Sequence, residues 1–249
     1  ATSCFGYAPD EDIAENETLT PYFLGSAKSL KPLIKKTYWD GLDLVPANLT
    51  LYAVELELPV IKQAAQKKGK SVQVHRLLSD AISTVKNDYD VVILDCPPAM
   101  SILNTNALYA ANGIIVPVPP ELPDIASMVQ FFGMIEGALK MLPSKEYDFL
   151  RILITKKDLR DTHHAITEAL RHLYGLHVMQ AEMLNTEVIK KARAMMCTVY
   201  ELKTYSGSKK TLTRATQIID QVNLEIELLL RKSMSSKMAS SRVKKEEVV

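Results

Sequence analysis

The 249 residues set 30 Lys and Arg against 29 Asp and Glu, with 47% hydrophobic and 24% charged residues. That balance suits one generous α/β domain or two small ones, and excludes collagen-like and disordered chains. The net charge of +1 averages two unlike halves: residues 1–150 hold 12 basic and 18 acidic residues, whereas residues 151–249 hold 18 and 11, so a carboxyl half facing an anionic partner stays open.

In chain order, an acidic stretch from Asp10 to Glu17 leads to Thr20-Pro21, a cap followed by proline at a first helical position. Leu42-Asp43-Leu44-Val45, ending at Pro46, alternates as a short half-buried edge strand does. Asn48 caps a helical pattern to about Gln66, Lys67 to Lys70 is a solvated break, and His75 to Lys86 reads as a further helix. The strongest strand signal is Tyr89-Asp90-Val91-Val92-Ile93-Leu94-Asp95, because a continuous apolar run is what a strand covered on both faces requires. Gly113 to Val118 and Phe149 to Thr155 repeat it. Helical patterns lie at 102–111, 123–142 and 162–174, His177 to Met183 suits one more short strand, and helices near 186–194 and 209–232 follow. Strands alternating with helices predict a mostly parallel sheet with helices on both faces. The Ser- and Lys-rich segment 233–249 has little to bury and is expected to be disordered.

Cys4, Cys96 and Cys197 stand far apart, against a disulfide framework or a paired metal knuckle, and a reducing cytosol is the natural compartment. No apolar run approaches the roughly 18 to 20 residues that span a bilayer. The start, Ala1-Thr2-Ser3-Cys4-Phe5-Gly6-Tyr7, lacks a signal-peptide pattern and reads like the middle of a sequence.

Ligands of an open parallel sheet bind at the carboxyl ends of its strands, which makes Asp95, closing the most apolar run, a candidate site residue. A carboxylate there, followed by Cys96-Pro97-Pro98, fits a motif in which Asp holds Mg²⁺ directly or through water and a stiff Pro97-Pro98 loop reports a third phosphate. An Asp that merely caps the next helix would look the same. His163-His164 with His172 and His177 have no Cys or carboxylate at ligand spacing, so helix-surface positions are expected for them. Cys96 reads as a small core residue and Met195-Met196 as core filler.

The segment Asp90 to Pro98, with Leu103-Asn104-Thr105-Asn106-Ala107-Leu108 and then Ile114-Ile115-Val116-Pro117-Val118, resembles the ParA superfamily of partition ATPases. Glu15 to Leu19, Ile34 to Tyr38 with Gly41 to Pro46, the helix start from Leu122 to Phe131, Thr198 to Leu202, and Val222 to Glu227 are similar to the RepA branch of repABC-type plasmids. The resemblance runs from Ala1 to about Lys232. It implies a P-loop NTPase fold of the deviant Walker type that uses ATP and Mg²⁺, works in the cytoplasm on the nucleoid, forms an ATP-dependent homodimer, binds DNA nonspecifically, and hydrolyses ATP when stimulated by a ParB-type centromere-binding partner, without a membrane. By the same resemblance Asp95 is the catalytic and metal-side carboxylate. Pro97, Pro98, Asp124, Thr155, Lys156, Met183 and Leu184 line the nucleotide site, where strand-end packing and helix capping are equally open readings.

For DNA, Lys190, Lys191 and Arg193, with Lys209, Lys210 and Arg214, offer clustered positive charge, although such clusters also arise as plain solvated faces, and relatives carry an acidic residue where Lys191 stands. The departure from the family is large, since nothing in the sequence matches the Gly-rich phosphate loop with its two lysines. The expectation is an amino-terminally truncated ATPase domain over 1–232, lacking its first strand and phosphate loop, which alone neither cradles phosphate nor hydrolyses ATP. A non-catalytic DNA- or partner-binding adaptor is the alternative. A membrane-cycling cell-division relative is disfavoured by the polar carboxyl tail.

Overall fold

A computed structural model describes residues 2–69, 73–97, 101–141, 145–202 and 207–246. The chain divides into two compact units, one of Ala1–Ala111, Gly137–Lys145 and Ala192–Thr198, the other of Asn112–Glu136, Glu146–Lys191 and Val199–Val249.

In the first unit, α1 (Thr20–Phe23) carries Pro21 near its start, and β1 (Lys35–Lys36) pairs antiparallel with β2 (Asp43–Leu44). Three helices follow, α2 (Leu51–Lys67), α3 (Leu77–Ser83) and α4 (Ile102–Ala110). The core forms where Phe23, Val54, Leu58, Leu78 and Ala107 meet, and a second cluster joins Leu30, Leu33, Ala81 and Val85. Val54 and Leu58 stand one turn apart, so they share the inward stripe of α2. The opposite face is unusual, because Tyr52, Leu56 and Val60 are all more than half exposed.

Tyr89 to Asp95 departs from expectation. Residues 91–97 adopt no regular structure, and Val91, Val92 and Ile93 are 41%, 45% and 85% exposed. Their apolar pattern suits a covered strand, but among the described residues no strand lies beside them to form a ladder. Leu94 packs partly against the first core cluster and Tyr89 against the second.

The second unit is built on β3 (Gly113–Val118) and β4 (Phe149–Ile154), a parallel pair registered from Gly113 opposite Phe149 to Val118 opposite Ile154. Segment 178–184 runs parallel to β4, through bridges Ile152 to Val178 and Lys157 to Leu184, rather than as a full strand. This unit also holds α5 (Leu122–Met141) as far as Glu136, α6 (Asp161–Tyr174), α7 (Glu187–Ala194) as far as Lys191, and α8 (Lys209–Glu246).

Successive residues of β4 point to opposite faces. Ile152 and Ile154 join Val118, Val178, Met128 of α5 and Leu170 of α6, whereas Leu153 joins Met179, Val222 and Ile226 on the α8 side. The pair is therefore covered by helices on both faces, as an α/β architecture requires. From Ser233, where the composition predicts disorder, α8 instead continues to Glu246. No Gly or Pro interrupts 209–246, and Ala, Met, Lys, Arg and Glu favour the helix.

Candidate functional site

In the first unit, Asp95 and Cys96 are exposed at the end of the apolar run, and Pro97 is half-buried; Pro98 lies outside the described residues. Cys96 is thus not the small core residue expected. Part of it reaches solvent, yet the chain packed around its sulfur and the Asp95 charge push the thiol pKa up. Asn104 of α4 donates from Nδ2 to the Pro97 carbonyl at 2.8 Å. Ser101 caps α4 by accepting the Asn104 amide at 3.2 Å, and Glu55 of α2 accepts the amides of Ile102 and Leu103 at 2.9 and 3.0 Å. These bonds satisfy donors that a helix start leaves unpaired, with a carboxylate favoured by the helix dipole. Fully buried Asn106 accepts the Leu78 amide and donates to the carbonyls of Val74 and Ile102.

An exposed carboxylate on such a loop fits Mg²⁺, which takes one or two carboxylates and completes its shell with water and phosphate oxygens. Among the described residues no three His, Cys, Asp or Glu stand together as a ready metal cage.

In the second unit, the carboxyl ends of β3 and β4 carry the other candidates. The Thr155 amide donates to the Val118 carbonyl at 3.0 Å, Lys156 takes a left-handed backbone with φ of 52°, and the Lys157 amide donates to the Met183 carbonyl at 3.1 Å. The Met183 amide donates to Ile154 and its side chain packs toward Leu153 and Val222, so Met183 is occupied in the fold. Leu184 opposes Lys157 in the parallel bridge. Asp124 lies in the first turn of α5, where negative charge favours the helix start.

Two ion-pair groups stand at this edge that the sequence pattern does not announce. Lys157, buried, and Arg171 both grip Glu182 at 2.7 Å. Arg160 reaches Glu121 and Asp158 at 2.6 and 2.9 Å, and His163 lies 3.0 Å from each of those carboxylates. His163 is only 1% exposed, correcting the helix-surface expectation. Its spacing with Thr167 and Leu170, the other buried positions of α6, is the signal that locates it.

Of the basic residues, Lys190 pairs with Glu187 at 2.7 Å, Lys191 is half-buried and Arg193 exposed on α7. Met195 and Met196 just beyond are 52% and 44% exposed, against their reading as core filler. Lys209, Lys210 and Arg214, with Thr213 and Gln217, line a shallow open depression on the first turns of α8. No helix among the described residues is long and apolar enough to cross a membrane.

A family model described as an AAA domain matches residues 1–145. SopA of Escherichia coli K12 is 35% identical over 205 residues, which are 81% of this chain and 52% of SopA. The chromosome partitioning protein ParA of Caulobacter vibrioides is 26% identical over 209 residues, covering 82% of this chain and 73% of the relative. Among solved structures, cobyrinic acid a,c-diamide synthase of Mycobacterium smegmatis with a bound ATP analogue and magnesium is similar at a TM-score of 0.60 and 26% identity, over 77% of this chain and 71% of that one. The chain spans about half the length of SopA.

Proposed function

Because the chain belongs to the ParA family of partition ATPases, we propose that it serves plasmid or chromosome partition, forming an ATP-dependent homodimer that binds DNA nonspecifically until a ParB-type partner stimulates hydrolysis. The observation that carries the reading is the match of the AAA domain over residues 1–145, which includes the Asp95 to Pro97 loop. ATP with Mg²⁺ would supply the transferable phosphoryl group. Asp95 would hold the metal directly or through water, and the loop after it would report the third phosphate. Thr155, Lys156, Leu184 and Asp124, at strand ends and a helix start, suit contacts to the rest of the nucleotide.

For DNA, the first turns of α8 support the reading better than α7 does. Lys190 already spends its charge on Glu187. Lys209 and Lys210 sit at a helix start with no acidic residue in the first turn, where the dipole opposes cations. Helix stability gives no reason for lysines there, and phosphate contact does.

The test is partner-stimulated ATP turnover by the full-length protein that carries this chain, with and without Asp95→Ala. Turnover at the wild-type rate in the variant sinks the role assigned to Asp95. A second reading is a DNA- or partner-binding adaptor without catalysis, which the open depression lined by Lys209, Lys210 and Arg214 would serve equally well. In that case isothermal titration with ATP gives no heat while salt-sensitive DNA binding remains.

A further inference from the structure

We propose that Glu55 is the positioning residue of the Asp95 loop, acting through α4 on a segment it does not itself touch. The inference rests on the reading of Asp95 as the metal-side carboxylate and extends it to what holds that carboxylate in place. The loop leaving Asp95 meets α4 within a few residues. Glu55 and the cap Ser101 hold the start of α4.

Glu55 receives both the Ile102 and Leu103 amides, one on each carboxylate oxygen, so its two oxygens and two of the free amides of the helix start are matched one to one. Hydrogen bonds to an ionised acceptor are roughly twice as strong as neutral ones, and this one also faces the positive end of a helix dipole. One turn further along, Asn104 bonds back to the Pro97 carbonyl at 2.8 Å and closes the loop on the helix that Glu55 has fixed. Glu55 is in turn seated on α2 between Val54 and Leu58, both at 1% exposure or less, so the anchor moves only if the core moves. The path runs from the core stripe of α2 through Glu55 to the α4 start, then through Asn104 to Pro97, two residues from Asp95.

Cys96 gives a probe inside the loop. Its thiol donates to the Leu94 carbonyl at 3.6 Å, a contact made within the loop itself. Loosening the loop releases that contact. Labelling by a maleimide, followed peptide by peptide with mass spectrometry, reads Cys96 against Cys4 and Cys197 in the same molecule. This needs no nucleotide.

In the 249-residue chain, Glu55→Gln keeps the size and one acceptor but removes the charge. It should speed Cys96 labelling by about tenfold, the scale expected when charged hydrogen bonds no longer oppose local opening. Cys4 and Cys197 should label at their wild-type rates. Asn104→Ala should reproduce the effect, and the double variant should add little to either single one, because both cut the same path. Glu57→Gln, an exposed neighbour on the same helix, should change nothing. An unchanged Cys96 rate in Glu55→Gln, or a simultaneous rise at all three cysteines, overturns the proposal. So does full additivity of the two variants. Failure of the partition-ATPase reading would appear separately, as turnover indifferent to Asp95→Ala, with this labelling pattern intact.

Discussion

His163 places its Nε2 3.0 Å from Glu121 Oε1, so a histidine with 1% of its surface exposed, in the first turn of α6, reaches the residue that precedes α5. Its Nδ1 accepts the Asp158 amide at 3.1 Å, and Arg160 Nη2 lies 2.6 Å from the same Nε2 that faces Glu121.

This pairing predicts acid sensitivity with a definite sign. The His163 hydrogen bond first, then Arg160, holds the Glu121 carboxyl below its ordinary 4.5, and Arg160 holds Asp158 below 3.8. Carboxyls lowered by folding contribute stability above the unfolded value and lose it as pH falls through the folded one. In urea denaturation, Glu121→Gln should be less stable than wild type at pH 7, and the gap should close as pH drops below 4.5. A gap constant from pH 7 to 3 would show that the pairing contributes nothing.

Tyr89 predicts the alkaline counterpart. Its hydroxyl donates to Asp43 of β2, and that bond, with burial, pushes the phenol from 10 up to about 12. A raised phenol stabilises the fold below pH 10 and ceases to do so as pH rises toward 12. The tyrosinate absorbance difference between wild type and Tyr89→Phe should show its midpoint near the upper value in folded protein and near the lower one in denaturant.

Gly113 opens β3 directly opposite Phe149, and a Cβ built on it would collide with the Phe149 ring. Gly113→Ala should therefore lower stability by about 1 to 3 kcal/mol, as overpacking does. Adding Phe149→Leu should recover part of that loss in thermal unfolding. No recovery would mean that the clash is relieved elsewhere.

The basic start of α8 predicts a salt effect. Replacing Lys209, Lys210 and Arg214 by Ala should weaken binding to unrelated DNA sequences alike, and should reduce the slope of log affinity against log salt by about 0.9 for each phosphate no longer neutralised. An unchanged slope would place the DNA-binding surface away from this depression.

Much of the architecture is legible in the order of residues. Gly113 to Val118 and Phe149 to Ile154 are apolar on both faces, and the structure covers both faces with helices. Tyr89 to Asp95 carries the same pattern and forms no ladder, because a strand depends on a neighbour that its own sequence cannot supply. Candidate residues are legible where chemistry is local, as with the exposed carboxylate of Asp95 two residues before Pro97. It is hidden where a partner is distant: Glu55 meets Ile102 across 47 residues, and Glu121 meets His163 across 42. Nothing near either carboxylate in the sequence announces its partner. The tail from Ser233 departs from expectation for a different reason, since composition measures what a segment can bury, whereas a helix already running needs only the absence of a breaker.

The left-handed turn at Lys156 makes that position behave unlike its surroundings under mutation. Its side chain is exposed, so chemistry and volume are free to vary as far as folding is concerned, yet a φ of 52° penalises every β-branched replacement and favours Gly, Asn or Asp. A saturation scan of residues 155–158, scored for folding stability, should find there a surface residue with the narrow tolerance of an interior one, sorted by backbone shape and indifferent to polarity. Such a signature, read from variants alone, would mark the bend between Thr155 and Lys157 without any view of the structure.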